Sequence, residues 1–297
     1  MKVRGVNWTL PRSRFARMVL AAAMVCAITP GLSGCPQPQG TRPRDGKKID
    51  VGGYEIFYRL SEGAGPTVVL MSGLNDDLAV WNKVYPLVAE NHRVLAYDRG
   101  GIGWSDRGPD PRDGSRVVEE LRAVFQELDV PPPYILVAHS FGGLFARLYA
   151  ASYPESVSGI VLIDTTHEDT WDRNASELDP VAAQRIENKL TGAINIIAPI
   201  GALGEWQNRN NTSEAIRANR RLPDIPLVLL TPGRQEFDYL LGTTQDIALA
   251  LERELDDDQA SIVPRNKQIP VPGVGHGIHK QRPDVVVDAI EEVIQGW

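Results

Sequence analysis

Tyr134-Ile-Leu-Val-Ala-His-Ser140-Phe-Gly-Gly143 is the stretch that decides the fold. Residues 134–138 are largely apolar and predict a short strand buried on both faces, the kind that fills a parallel sheet. From Gly142 onward the pattern turns helical. Ser140 therefore stands at a strand-to-helix junction, on a turn too sharp for bulky neighbours, with its hydroxyl carried to the carboxyl edge of the sheet. Gly142 and Gly143 meet that steric demand, and Ala138 is small enough to meet it too.

The surrounding chain repeats the strand and helix signals. Residues 54–60 alternate as an early antiparallel strand does, while 67–71, 93–97, 159–163 and 227–230 are further near-continuous apolar runs. Between them Val117, Leu121, Val124 and Leu128 recur at helical spacing, with Ser115 as N-cap and Pro131-Pro-Pro133 as the stop. The last helix opens at Pro283 and repeats Val286, Ile290 and Val293. The fold class is α/β, a mostly parallel central sheet with helices on both faces. Residues 165–225 break the alternation with a connection far longer than the usual two to six residues. Ile186, Leu190, Ile194, Trp206 and Ile216 make it helical, so it is expected to be a cap over the carboxyl edge. Most of its apolar residues serve to anchor it. The core then comprises residues 48–164 and 226–297.

Ser140 becomes a nucleophile only when a base removes its proton, and His276 is the candidate because a neutral imidazole accepts a proton near neutral pH. His139, adjacent to Ser140, is expected to point away and pack. His279 lies three residues past His276, but neither a His-Glu-x-x-His motif nor a cysteine cluster accompanies it, and no metal is expected. His92 and His167 have no sequence partner that elevates them.

These motifs, in this order, resemble the α/β-hydrolase superfamily over roughly residues 48–297. Residues 138–142 are similar to its Gly-x-Ser-x-Gly elbow, with Ala138 replacing the first glycine. Ser72-Gly73-Leu74 stands where the family has His-Gly-x, so the resemblance implies oxyanion donors at the backbone N–H groups of Leu74 and Phe141. Asp98-Arg-Gly-Gly-Ile-Gly-Trp-Ser105 is similar to the family's Asp-Arg-x-Gly-x-Gly-x-Ser loop, and Gly275-His276 through Pro283 to its Gly-His-x6-Pro ending. The implied triad runs Ser140, an acid, His276. For the acid, Asp164 at the end of the 159–163 strand leads. Glu236, with Gly-x-x-acid spacing from Gly233, is the alternative, and Asp238 follows it. No cofactor is implied.

The 297 residues carry 31 basic and 38 acidic side chains, but five of the basic ones and none of the acidic ones lie in the first 34. The remainder, 26 against 38, is too acidic to offer nucleic acid an electrostatic footprint. That basic segment leads into an 11-residue apolar run, 18–28, too short to span a bilayer, which takes about 20. It has the layout of a secretory signal. Its ending, Leu32-Ser-Gly-Cys35, resembles the bacterial lipobox, which implies cleavage before Cys35 and lipidation of its thiol. Residues 1–34 are thus expected to be a lipoprotein signal peptide and 35–47 a tether. Cys26 would be discarded, leaving no disulfide to stabilise the chain.

The expected protein is an envelope lipoprotein held on a membrane through Cys35, a serine hydrolase acting on an uncharged, lipophilic small-molecule ester. Aminopeptidase or amidase activity on the same scaffold is the alternative, with Glu168, Asp169, Asp172 or Glu177 holding a substrate amine. A non-catalytic binding lipoprotein is the rival of another class. Serine at the elbow argues against epoxide hydrolases and haloalkane dehalogenases, whose intermediate requires an aspartate there.

Overall fold

Val68, Leu70, Val94, Val137, Val161 and Ile163 pack on one face of a sheet, while Val69, Met71, Leu95, Leu136 and Leu162 pack on the other. A strand's two-residue period dictates this alternation, and because both sets are buried, helices must cover both faces. The structure is a computed structural model that describes residues 42–220, 222, 224–233 and 245–296. Its strands are β1 (Lys47–Asp50), β2 (Glu55–Leu60), β3 (Ala64–Met71), β4 (His92–Tyr97), β5 (Tyr134–His139), β6 (Val157–Ile163), β7 (Leu227–Pro232) and β8 (Asn266–Val271). Their spatial order is β1-β2-β4-β3-β5-β6-β7-β8. The first two pairings, β1 with β2 and β2 with β4, are antiparallel, and all others are parallel. This is the α/β-hydrolase architecture.

Short helix α1 (Tyr85–Val88) precedes α2 (Gly114–Glu127) and α3 (Gly142–Ser152), and the latter two cover one face through Val117, Leu121, Val124, Leu144 and Leu148. The N-cap of α2 is Asp113 and not Ser115: Asp113 has extended backbone and its carboxylate accepts the Arg116 N–H at 3.0 Å. Ser115 lies inside the first turn. Between β6 and β7 come α4 (Thr170–Glu177), α5 (Pro180–Ile197), α6 (Ile200–Gln207) and α7 (Arg209–Ala218). Trp206 and Ile216 of this insertion are buried in the same core as α2 and α3, whereas Val181 is 57% exposed. The C-terminal part adds α8 (Gln245–Ser261), α9 (Ile278–Gln281) and α10 (Pro283–Gln295). Val286, Ile290 and Val293 of α10 cover the opposite face.

β3 is followed by β4 on one side of it, and β5 by β6 on the other, so the connections leaving β3 and β5 diverge and a crevice opens at their carboxyl ends. Strands β1 and β8 and helix α8 were not among the sequence expectations, and β1 begins at the last residue assigned to the tether. No helix among the described residues is long and apolar enough to cross a membrane. Cys35, the signal segment, Glu236 and Asp238 lie outside the described residues.

Candidate active site

Ser140 has φ of 52°, a left-handed backbone that a residue other than glycine adopts only under constraint. The constraint comes from three bonds. Its N–H donates to the Ile163 carbonyl at 3.1 Å, and its own carbonyl accepts the N–H groups of Gly143 at 3.0 Å and Thr166 at 3.1 Å. The two glycines behind it are sterically required. A Cβ on Gly142 would lie 2.6 Å from the Ser72 carbonyl oxygen, and one on Gly143 would lie 2.4 Å from the Thr165 Cβ. Strand β5 and helix α3 can close on β3 and β6 only without those side chains.

Asp164 directly follows β6, also left-handed with φ of 45°, and its N–H is held by the Leu230 carbonyl at 2.9 Å. His276 follows β8. Although 112 residues apart in sequence, His276 Nδ1 and Asp164 Oδ2 are 2.6 Å apart. A carboxylate accepts, so Nδ1 carries the proton and Nε2 keeps its lone pair. Ser140, Asp164 and His276 open onto one cavity of about 840 Å³. Leu74 and Phe141 flank Ser140, the insertion contributes Trp171, Leu178, Ile194 and Trp206, and α8 contributes Leu251 and Leu255. The N–H groups of Leu74 and Phe141 meet no acceptor among the described residues. A smaller hollow of about 270 Å³, at the other end of the sheet beside Tyr134 and Tyr153, holds none of these groups.

His139 does more than pack. Its Nε2–H donates to the His276 backbone carbonyl at 3.0 Å, and its ring lies 4.4 Å from the His276 ring and 4.2 Å from that of His279. Burial lowers the His139 pKa, and burial with His139 and Lys280 nearby pushes that of His279 down to about 2. Both rings are therefore neutral near pH 7. His167 is likewise driven to about 4 by burial and Arg147, while its Nε2 bonds Asp258 at 2.7 Å. His92 pairs with Glu291 at 2.8 Å. No group of three or more His, Cys, Asp or Glu among the described residues could hold a metal ion.

The four insertion acids expected to hold a substrate amine are engaged by arginines. Glu168 meets Arg147 at 2.6 Å, Arg217 takes Asp169 and Asp172 at 2.6 Å each, and Glu177 pairs with Arg173. Asp256 is different. It stands in the cavity wall, and burial, then the neighbouring Asp164 and Asp257, push its pKa up to about 7. It escaped the sequence reading because α8 did, although Ile247, Leu251 and Leu255 recur there at helical spacing.

Residues 66–193 match the family model described as the alpha/beta hydrolase fold. The chain has the α/β-hydrolase fold. An uncharacterized protein of Bacillus subtilis, YqjL, is 24% identical over 235 residues, which cover 77% of this chain and 84% of that one. The next curated relatives are spanned over less than half of their own length. Among solved structures, a thermophilic esterase from Thermogutta terrifontis superposes with TM-score 0.62 at 18% identity, over 84% of this chain and 98% of that one. A Vigna radiata epoxide hydrolase superposes with TM-score 0.61 at 16% identity, over 84% and 98%. Likenesses this distant share the fold and leave the chemistry to the site.

Proposed function

We propose that the protein is a serine hydrolase that cleaves an uncharged, lipophilic ester through an acyl-enzyme on Ser140, and that it works at a membrane through a lipid anchor on Cys35. The observation that carries the catalytic part is the 2.6 Å bond between His276 Nδ1 and Asp164 at the wall of the cavity onto which Ser140 opens. In this reading Asp164 fixes the His276 tautomer, and the unprotonated Nε2 takes the Ser140 proton as Oγ attacks the ester carbonyl. The N–H groups of Leu74 and Phe141 receive the negative charge that develops on oxygen. His276 then gives its proton to the departing alcohol, and water repeats the sequence to free the acid. Aspartate at the elbow is what an alkyl-enzyme intermediate needs, so Ser140 speaks for acyl transfer over epoxide or halide chemistry.

Substrate class rests on the walls. Trp171, Leu178, Trp206, Leu251 and Leu255 favour an apolar acyl or alcohol portion. The four insertion acids suited to binding a substrate ammonium group, as an aminopeptidase must, are already paired with arginines, which favours the ester reading. A panel of p-nitrophenyl esters of increasing acyl length beside aminoacyl p-nitroanilides tests the reading. Turnover is expected for the esters, rising with chain length over the short members; preferential turnover of the anilides would replace it with the peptidase reading.

A further inference from the structure

Arg99, in the loop after β4, is 2% exposed and nevertheless directs its guanidinium at two backbone carbonyls. NH1 donates to the Ser72 oxygen at 2.7 Å and NH2 to the Gly73 oxygen at 2.8 Å. The Gly73 carbonyl and the Leu74 N–H are the two ends of one planar, resonance-linked peptide unit. Whatever holds the oxygen therefore sets the direction of the N–H. A cationic donor on that oxygen also draws electron density from the amide and makes its N–H a stronger donor.

The guanidinium is itself held from the insertion. Glu205, on α6 and fully buried at its side chain, accepts Nε at 2.7 Å and NH2 at 2.9 Å, and the Phe145 ring lies 5.2 Å from the cation. Although burial opposes its charge, Glu205 raises the Arg99 pKa, so the cation persists. The approach of α6 is fixed by backbone contact: Gly201 N–H donates to the Gly101 carbonyl at 3.1 Å, and a Cβ on Gly201 would lie 2.2 Å from the Gly100 oxygen. Behind Glu205, Arg112 lies 4.0 Å away and is paired with Glu120 at 2.7 Å, which balances the buried charges two against two.

We propose that Arg99 is a positioning residue for the oxyanion hole, orienting and polarising the Gly73–Leu74 peptide, and that Glu205 of the inserted helix α6 sets Arg99, so that the insertion is coupled to transition-state binding and is more than a wall of the cavity. This rests on the serine-hydrolase reading above, in which the Leu74 N–H meets the oxyanion. A salt bridge that merely ties the insertion down would change stability and leave the chemistry of the folded molecules alone.

The test removes both charges together, Arg99→Met with Glu205→Met, because truncating one partner leaves the other buried and uncompensated. The isosteric Glu205→Gln runs beside it in case the pair does not fold. Three quantities are read: kcat, KM for a short p-nitrophenyl ester, and the affinity of a trifluoromethyl ketone, whose hemiketal oxygen occupies the oxyanion position. The paired variant is expected to lose about 10² to 10³ in kcat with KM within about threefold, the scale of losing one oxyanion donor. Its affinity for the ketone should fall by the same factor. Glu205→Gln should move kcat and ketone affinity together in the same direction, by less. A folded variant of either kind that keeps the parent's kcat and ketone affinity overturns the proposal alone. A parent that neither takes a fluorophosphonate probe nor turns over any ester overturns the reading beneath it, and the proposal with it.

Discussion

At the scale of single residues, two aspartates, Asp164 and Asp256, face one cavity. Asp164 has left-handed backbone, a conformation asparagine tolerates better than most residues, so Asp164→Asn keeps the turn while losing the charge. The His276 tautomer is then no longer fixed and its imidazolium no longer stabilised. We expect kcat to fall by as much as about 10⁴ with a shift of only a few degrees in melting temperature; steady-state kinetics beside a thermal melt checks this, and a variant within tenfold of the parent would hand the acid's role to Glu236. Asp256 gives a pH signature. Its pKa stands at about 7 in the folded chain and near 4 in the unfolded one. Below pH 4 both states hold the proton and Asp256→Asn should change nothing. Between pH 4 and 7 only the unfolded state ionises, so the parent loses stability relative to the variant, and above pH 7 the difference levels off at roughly 2 to 4 kcal/mol. Denaturant melts at pH 4, 6 and 8 measure it, and a difference independent of pH would contradict it.

At the scale of elements, helix α3, which follows Ser140, is tied to the insertion by buried charge. Arg147 on α3, 2% exposed, meets Glu168 at 2.6 Å; Arg220 adds an ion pair, Nε lying 3.1 Å from Glu168 Oε1, and pairs with Asp258 on α8. Arg147→Met is expected to destabilise the fold by about 3 to 5 kcal/mol, because it leaves Glu168 buried with half its pairing; urea melts would read this, and a loss below 1 kcal/mol would mean that Arg220 alone suffices. Legibility in the sequence divides along the same line. The elbow was readable because its requirement for small residues lies within a few positions of Ser140. Strands β5, β6 and β7 were readable as apolar runs because each has strands on both sides. Among the described residues β8 pairs only with β7, and its Asn-Lys-Gln-Ile-Pro-Val lacks the continuous apolar signal an interior strand needs; β1, at the other edge, lacks it as well. The Ser115 cap failed because Asp113, two residues earlier, takes the extended conformation that a cap requires. Arg99 and Glu205, 106 residues apart, carry no mark in the sequence that they meet.

At the scale of the whole molecule, the described chain supplies a sheet edge with three side chains, carried just beyond the carboxyl ends of three separate strands, gathered at one cavity, and an insertion that adds to its walls. The proposed anchor belongs to this scale too, since it decides where the cavity works. Cys35→Ser should abolish incorporation of a clickable fatty acid and leave the unprocessed precursor; equal labelling of variant and parent would remove the anchor. Ser140 as the proposed nucleophile is open to covalent capture. The protein is incubated with a fluorophosphonate, digested, and the modified peptide identified by mass spectrometry. A single adduct on Ser140, abolished in a folded Ser140→Ala variant that has also lost ester turnover, is the predicted result; an adduct on another residue, or full turnover by that variant, would contradict it.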